Sequence, residues 1–129
     1  MIAQVTASAL VSENKTLCHP ASVDSIATSA GYEDHVSMGG WAARKALQVI
    51  ENVENVLAIE LICGCQAIDM RRPLTSTPIL EKLLAEVRKE VKFMNTDRTI
   101  ATDVKKVQKL IESGHLWNIV KDHIDQHTD

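Results

Sequence analysis

Large rings are scarce in this chain: two tryptophans, one tyrosine and one phenylalanine make up 3% of its 129 residues. So few aromatics, beside abundant Ala, Val, Leu and Ile, argue against a β-sandwich and for helix-on-helix packing. Cysteine is equally thin. Cys18, Cys63 and Cys65 form an odd set with no CxxC spacing, so free thiols in a reducing cytoplasm are the expected state. Charge of one sign is missing too, the formal net charge being −3. No basic field is available for nucleic acid or anionic lipid, and neither is expected as a partner. The longest apolar stretch, Val53 to Ile68, is broken by Glu54, Asn55, Glu60 and Gln66, too short and too polar for a membrane span. The opening segment MIAQVTASAL lacks the basic flank of a secretory signal. A cytoplasmic protein is the expectation. Internal repeats and low-complexity linkers are absent, so residues 1–129 read as a single helical domain.

What remains is helical periodicity. Ile2, Val5, Ala9 and Leu10 suggest a short helix over 2–13. Residues 14–34 carry no sustained period and contain Pro20, Gly31 and many Ser and Thr, which reads as a structured loop with a helical turn near Ala21–Ser25. Loops of such length inside a compact domain are often functional. From 34 to 71 Trp41, Ala42, Leu47, Ile50, Val53, Leu57, Leu61 and Cys65 recur at three- and four-residue steps. Val49, Val56, Ile59, Ile62 and Ile68 widen that stripe beyond one face. A helix of that length spans roughly 55 Å. Being apolar almost all round, it must be wrapped by more helices than a small chain can offer, so a missing remainder or an oligomer is expected. Pro73 ends it, Ser76 and Thr77 cap a third helix with Pro78 in its first turn, and 76–129 holds the C-terminal helices. Ile79, Leu80, Leu83, Leu84 and Val87 give the third helix an amphipathic stripe. Asp103–Ser113 forms a fourth helix closed by Gly114, and a fifth runs from about Leu116 to Ile124 into a polar tail. The expected class is all-α, with one long central helix.

Several polar groupings invite chemistry. His123 and His127 stand four apart, a spacing that lets two imidazoles share a helix face. The glutamate of an HExxH motif is lacking, and a solvated tail is the better reading. On a helix Cys63 and Cys65 point about 160° apart, so they are read as buried small residues rather than metal ligands, with Gly64 between them allowing a neighbouring backbone to come close. No metal site is expected. His19, Ser22 and Asp24 in CHPASVD resemble a triad in composition, yet three polar residues in one loop normally serve turn hydrogen bonds. Glu33-Asp34-His35 is different. Asp34 suits a helix N-cap, and Gly31 suits a positive φ or a close backbone approach. Neither role explains Glu33, which is left as a candidate functional acid.

Taken together, ALVSENK (9–15), HPASVDS (19–25), EDHVSMG (33–39), AARK (42–45), ENVENVLAIEL (51–61) and QAIDMRRPL (66–74) closely resemble the C-terminal third of histidine ammonia-lyases. TSTPILEKLLAEVRKEV and DRTIATDVKKVQKLIESGHL resemble the end of that family, so the likeness covers nearly the whole chain. The resemblance implies a helical homotetramer built around long bundle helices, with active sites shared among subunits. It implies conversion of L-histidine to trans-urocanate and ammonia. The electrophile would be 4-methylideneimidazol-5-one, formed from an internal Ala-Ser-Gly. By position, Glu33 matches the family's active-site glutamate, which contacts the substrate or assists proton transfer. Met1 falls on a methionine beside the substrate ring, where phenylalanine ammonia-lyases carry lysine. Asp34 and His35 match as supports behind the glutamate.

Two departures stand out: Gly31-Tyr32 replaces Asn-Gln ahead of the glutamate, and Ala27 replaces a proline. A third is larger, since Ala-Ser-Gly occurs nowhere in the 129 residues. No cofactor is therefore expected in this chain, and 4-methylideneimidazol-5-one is expected in the N-terminal part. The implied partner is an N-terminal lyase polypeptide, in a homo- or hetero-oligomer, with the chain alone inactive. The alternatives are a non-catalytic helical oligomerisation or binding module, and a lyase for another amino acid.

Overall fold

The computed structural model describes residues 1–125 and contains five α-helices: α1 (Ile2–Leu17), α2 (Gly39–Met70), α3 (Pro78–Glu90), α4 (Ala101–Glu112) and α5 (His115–Asp125). Single 3₁₀ turns at Ala21–Val23 and Ser29–Gly31 interrupt the α1–α2 connection. Among the described residues the β content is one isolated antiparallel bridge, Thr28 to Glu33. The all-α class expected from the sequence is observed.

α2 is the spine, about 48 Å long at 1.5 Å per residue. α1 and α4 pack along it, and α3 and α5 pair with each other and with α4. The core is aliphatic. Ala58, Ile59, Ile62 and Cys65 of α2 meet Leu84 and Val87 of α3, Val91 just after it, Val104 and Val107 of α4, and Leu116 of α5. Val87 and Val107 are wholly excluded from solvent, and each such valine contributes roughly 1.5–3 kcal/mol by leaving water. Burial raises the Cys65 thiol above its ordinary value, a tendency opposed by the nearby Arg88.

Element ends differ from the periodicity in instructive ways. α1 continues four residues past the expected stop, through polar Asn14, Lys15 and Thr16. Tertiary contact explains this: the Asn52 amide donates to Asn14 Oδ1 at 2.9 Å, and Leu17 is half-buried. The inward face of α1 is Ala3, Ala7, Leu10, Asn14 and Leu17. Ile2 and Val5, expected on that face, are 72% and 61% exposed.

α2 begins at Gly39 rather than near residue 34, so Asp34 is not its N-cap; Met38 holds that place without a side-chain cap. The Ser25 hydroxyl engages the backbone of Val36 and keeps residues 34–38 out of helical pairing. Ser37 Oγ instead accepts the Gly39 N–H at 3.2 Å.

Thr77 is the N-cap residue of α3, with Pro78 in the first turn, but neither Ser76 nor Thr77 supplies a side-chain cap. Glu81, from inside the helix, instead holds the chain leading into it, its Oε1 accepting the Ser76 N–H at 2.8 Å. Ser113 follows α4 and Gly114 takes φ 69°, the left-handed step that lets the chain reverse into α5.

The α2–α3 junction is a charge lattice. Arg72 donates to both Glu81 oxygens at 3.0 and 2.6 Å, and Arg88 Nε donates to Asp69 at 2.7 Å and Nη1 to the Val91 carbonyl at 3.0 Å. The Arg72 guanidinium, and after it the Ser76 N–H, hold the Glu81 carboxyl below the usual glutamate value. A depressed carboxyl contributes stability above its unfolded value, and that contribution disappears as pH falls through the folded one. Glu81 is solvent-facing and the contribution is accordingly small. In a carbon-detected NMR titration Glu81 should titrate below an ordinary glutamate, and Arg72→Gln should move its midpoint upward.

Candidate functional site

The 18–38 connection is a pinned hairpin. Thr28 N–H donates to the Glu33 carbonyl at 2.8 Å, and Glu33 N–H returns the bond to the Thr28 carbonyl at 3.3 Å. Gly31 N–H also reaches the Thr28 carbonyl, at 3.0 Å, and Tyr32 N–H reaches Ser29 at 3.2 Å. Reversal within so few residues needs left-handed backbone, and Ser29, Ala30 and Gly31 adopt φ of 54°, 56° and 89°. Gly31 takes this conformation freely, as its sequence context predicts. Ser29 and Ala30 do so at about 1–2 kcal/mol each. Non-glycine residues held in that region cluster at functional sites.

Below the tip, two polar contacts tie the loop to its surroundings. Ser25 Oγ accepts the Val36 N–H at 2.8 Å and donates to the Val36 carbonyl at 3.3 Å. The buried ammonium of Lys45 in α2 donates to the His19 carbonyl. The Arg44 guanidinium lies 5.3 Å from the Trp41 ring centroid, at the start of the same helix. Sequence reasoning singled out none of Ser25, Thr28 or Lys45. Their signal was only that they fall in or beside the HPASVDS and AARK blocks.

The result is a rigid backbone presenting open side chains. Glu33, Asp34 and His35 are all exposed, and Tyr32 at the apex is 93% exposed. Glu33 lies ahead of α2, on the exposed hairpin. Among the described residues, no hydrogen bond or ion pair engages its carboxylate, and no helix packs on the Ser29–Gly31 turn. Glu33, Asp34 and His35 come together as neighbours in one strand of the loop. Met1 stands apart at the head of α1, 99% exposed.

The lesser groupings resolve simply. No hydrogen bond joins His19, Ser22 and Asp24, and among the described residues no three His, Cys, Asp or Glu side chains gather as a metal site. Cys65 is buried, but Cys63 is exposed, contrary to the buried pair expected. A methyl group on Gly64 would meet nothing within 4 Å, so the helix expected against it is not supplied by this chain. His127 lies outside the described residues. An apolar cavity of about 220 Å³ opens between Ala3, Ile62, Cys63, Met94 and Val104, away from Glu33.

With this geometry in view, comparison with known proteins is decisive. The family model described as aromatic amino acid lyase matches residues 1–89. The chain belongs to the aromatic amino acid lyase family. Histidine ammonia-lyase of Bos taurus is 54% identical over 127 residues, which is 98% of this chain and 19% of that protein. The crystal structure of histidine ammonia-lyase from Trypanosoma cruzi superposes with a TM-score of 0.91 at 56% identity, covering 95% of this chain and 24% of that one. Tyrosine aminomutase from Streptomyces globisporus gives a TM-score of 0.84 at 33% identity, over 93% of this chain and 23% of the other. The chain thus spans about a fifth of the length of its lyase relatives.

In this chain the hairpin tip takes its sharpest positive φ at Gly31. A Cβ there would meet no atom within 4 Å, so the only penalty of Gly31→Ala is conformational, about 1–2 kcal/mol. Hydrogen exchange at the Thr28 and Glu33 amides should accelerate about tenfold, while the unfolding midpoint of the aliphatic core stays put.

Proposed function

We propose that this chain is the C-terminal part of a histidine ammonia-lyase-type enzyme. Joined to an N-terminal part, it would convert L-histidine to trans-urocanate and ammonia. The observation that carries this reading is the Glu33 carboxylate: exposed, without a partner among the described residues, and fixed through its own N–H and C=O to Thr28. A carboxylate left open at a strained tip has no structural work in this chain. It suits accepting an imidazole N–H or moving a proton once a neighbouring subunit closes over it.

Several residues take supporting parts. Met1, exposed at the head of α1, would line the substrate ring. Asp34 and His35 would set the local field around Glu33, since Asp34 does not cap α2. The chain holds no Ala-Ser-Gly and cannot form its own electrophile. 4-Methylideneimidazol-5-one, expected in the N-terminal part, would supply the electrophile that activates the substrate. The fit is one of complement: this chain offers an open base and an uncovered helix face, and the N-terminal part offers the group.

That helix face supports assembly. Leu47, Ile50, Val53 and Leu57 on α2 are 68%, 53%, 44% and 45% exposed, and they run at three- and four-residue steps opposite the buried face. Covering side chains exposed to that degree gains roughly 1 kcal/mol each. A non-catalytic bundle module would use the same face but would leave Glu33 unexplained. The likeness to a tyrosine aminomutase, with Gly31-Tyr32 beside Glu33, favours a lyase for another amino acid as the second reading.

Co-expression with the N-terminal part of a histidine ammonia-lyase should yield urocanate, followed by its ultraviolet absorbance. Glu33→Gln in that complex should lower kcat about 100-fold. A complex that forms and releases product from tyrosine but not histidine would favour the second reading, and one that forms without any product would defeat both.

A further inference from the structure

We infer that Ser25 is a positioning residue for Glu33, acting as the second rung of the hairpin through its side chain. This rests on the reading of Glu33 as the acid that meets substrate. Residues 28 and 33 pair through the backbone, and 25 and 36 lie three residues further out on each limb, in the same antiparallel register. At that outer position there is no backbone pair. The Ser25 hydroxyl acts there instead, accepting from the Val36 N–H at 2.8 Å and donating to the Val36 carbonyl at 3.3 Å. One side chain thus satisfies both polar groups of Val36, at a position where a regular antiparallel ladder exchanges no backbone bonds.

The tip needs this second closure. A lone pair of backbone hydrogen bonds is a marginal hairpin, the turn it closes contains left-handed Ser29 and Ala30, and no helix packs on that turn. Between the two rungs the chain runs Glu33-Asp34-His35, so the direction in which the Glu33 carboxylate leaves the loop is set by both. Lys45, holding the His19 carbonyl from α2, fixes the outer limb to the helix. The hydroxyl's hydrogen bonds all go to Val36, so its influence on Glu33 is transmitted through that residue.

Two measurements test the inference. In the intact chain, Ser25→Ala should speed hydrogen exchange at the Val36, Thr28 and Glu33 amides about tenfold, with the core amides of α2 and α4 unmoved. Ser25→Thr, which keeps the hydroxyl, should restore protection. Wild-type exchange at Thr28 and Glu33 in Ser25→Ala would overturn the inference. In the complex with the N-terminal lyase part, Ser25→Ala should lower kcat about tenfold with KM little changed, and should have no further effect in a Glu33→Gln background. An equal loss in both backgrounds would mean that Ser25 acts by another route, and the inference falls. If Glu33→Gln itself retains full activity, the functional reading of Glu33 falls instead, a result separable from the exchange data.

Discussion

A helix that is apolar on two opposite faces cannot be satisfied by one short chain, and α2 is such a helix. Its inner face, from Lys45 and Asn52 to Ile59, Ile62 and Cys65, is covered by α1 and α4 and anchors the aliphatic core. Its outer face repeats Leu47, Ile50, Val53 and Leu57 toward solvent, and Gly64 continues the same stripe with open space above it. Contiguous exposed aliphatic side chains of this kind mark a surface made for contact. The rest of the architecture is arranged around that asymmetry: α3 and α5 build outward from α4 rather than closing over the second face of α2.

The same logic governs the loop that carries Glu33. Its backbone is more constrained than an exposed connection normally requires, with three consecutive left-handed residues held by reciprocal bonds between Thr28 and Glu33. The side chains of Glu33, Asp34 and His35, by contrast, are exposed and make no hydrogen bond or ion pair among the described residues. Rigidity below and vacancy above is the arrangement expected of a half-site, in which positioning is local and complementarity comes from elsewhere. The chain belongs to the aromatic amino acid lyase family and spans about a fifth of its relatives' length, which supports the proposal that the complement comes from the rest of a lyase.

How much of this was legible in the sequence depended on the range of the forces involved. Helix periodicity reports local burial, and it located all five helices and the two-faced character of α2. Ends were less legible because tertiary contacts set them. Asn14 carries α1 onward through its bond to Asn52, and Ser25 delays α2 by occupying Val36. Asp34 has every local feature of an N-cap, yet it lies in a hairpin limb between Glu33, paired with Thr28, and Val36, held by Ser25 eleven residues away. Gly31 was readable, since a positive φ leaves a residue-type signature, whereas the matching φ at Ser29 and Ala30 leaves none. Cys63 and Cys65 show the complementary limit: helix geometry parts them correctly, but which one faces inward depends on where the other helices pack. Glu33 was singled out because no structural role claimed it, and the structure adds none.

The central proposal is that the outer face of α2 is the seat on which an N-terminal lyase part docks. Sedimentation of the chain mixed with the N-terminal part of a histidine ammonia-lyase, compared for the natural chain and Leu57→Glu, tests it most directly. Leu57 is 45% exposed and outside the core cluster, so the variant should keep its helical circular dichroism. The account predicts a stable complex for the natural chain and none for Leu57→Glu. Equal complex formation by both would contradict it.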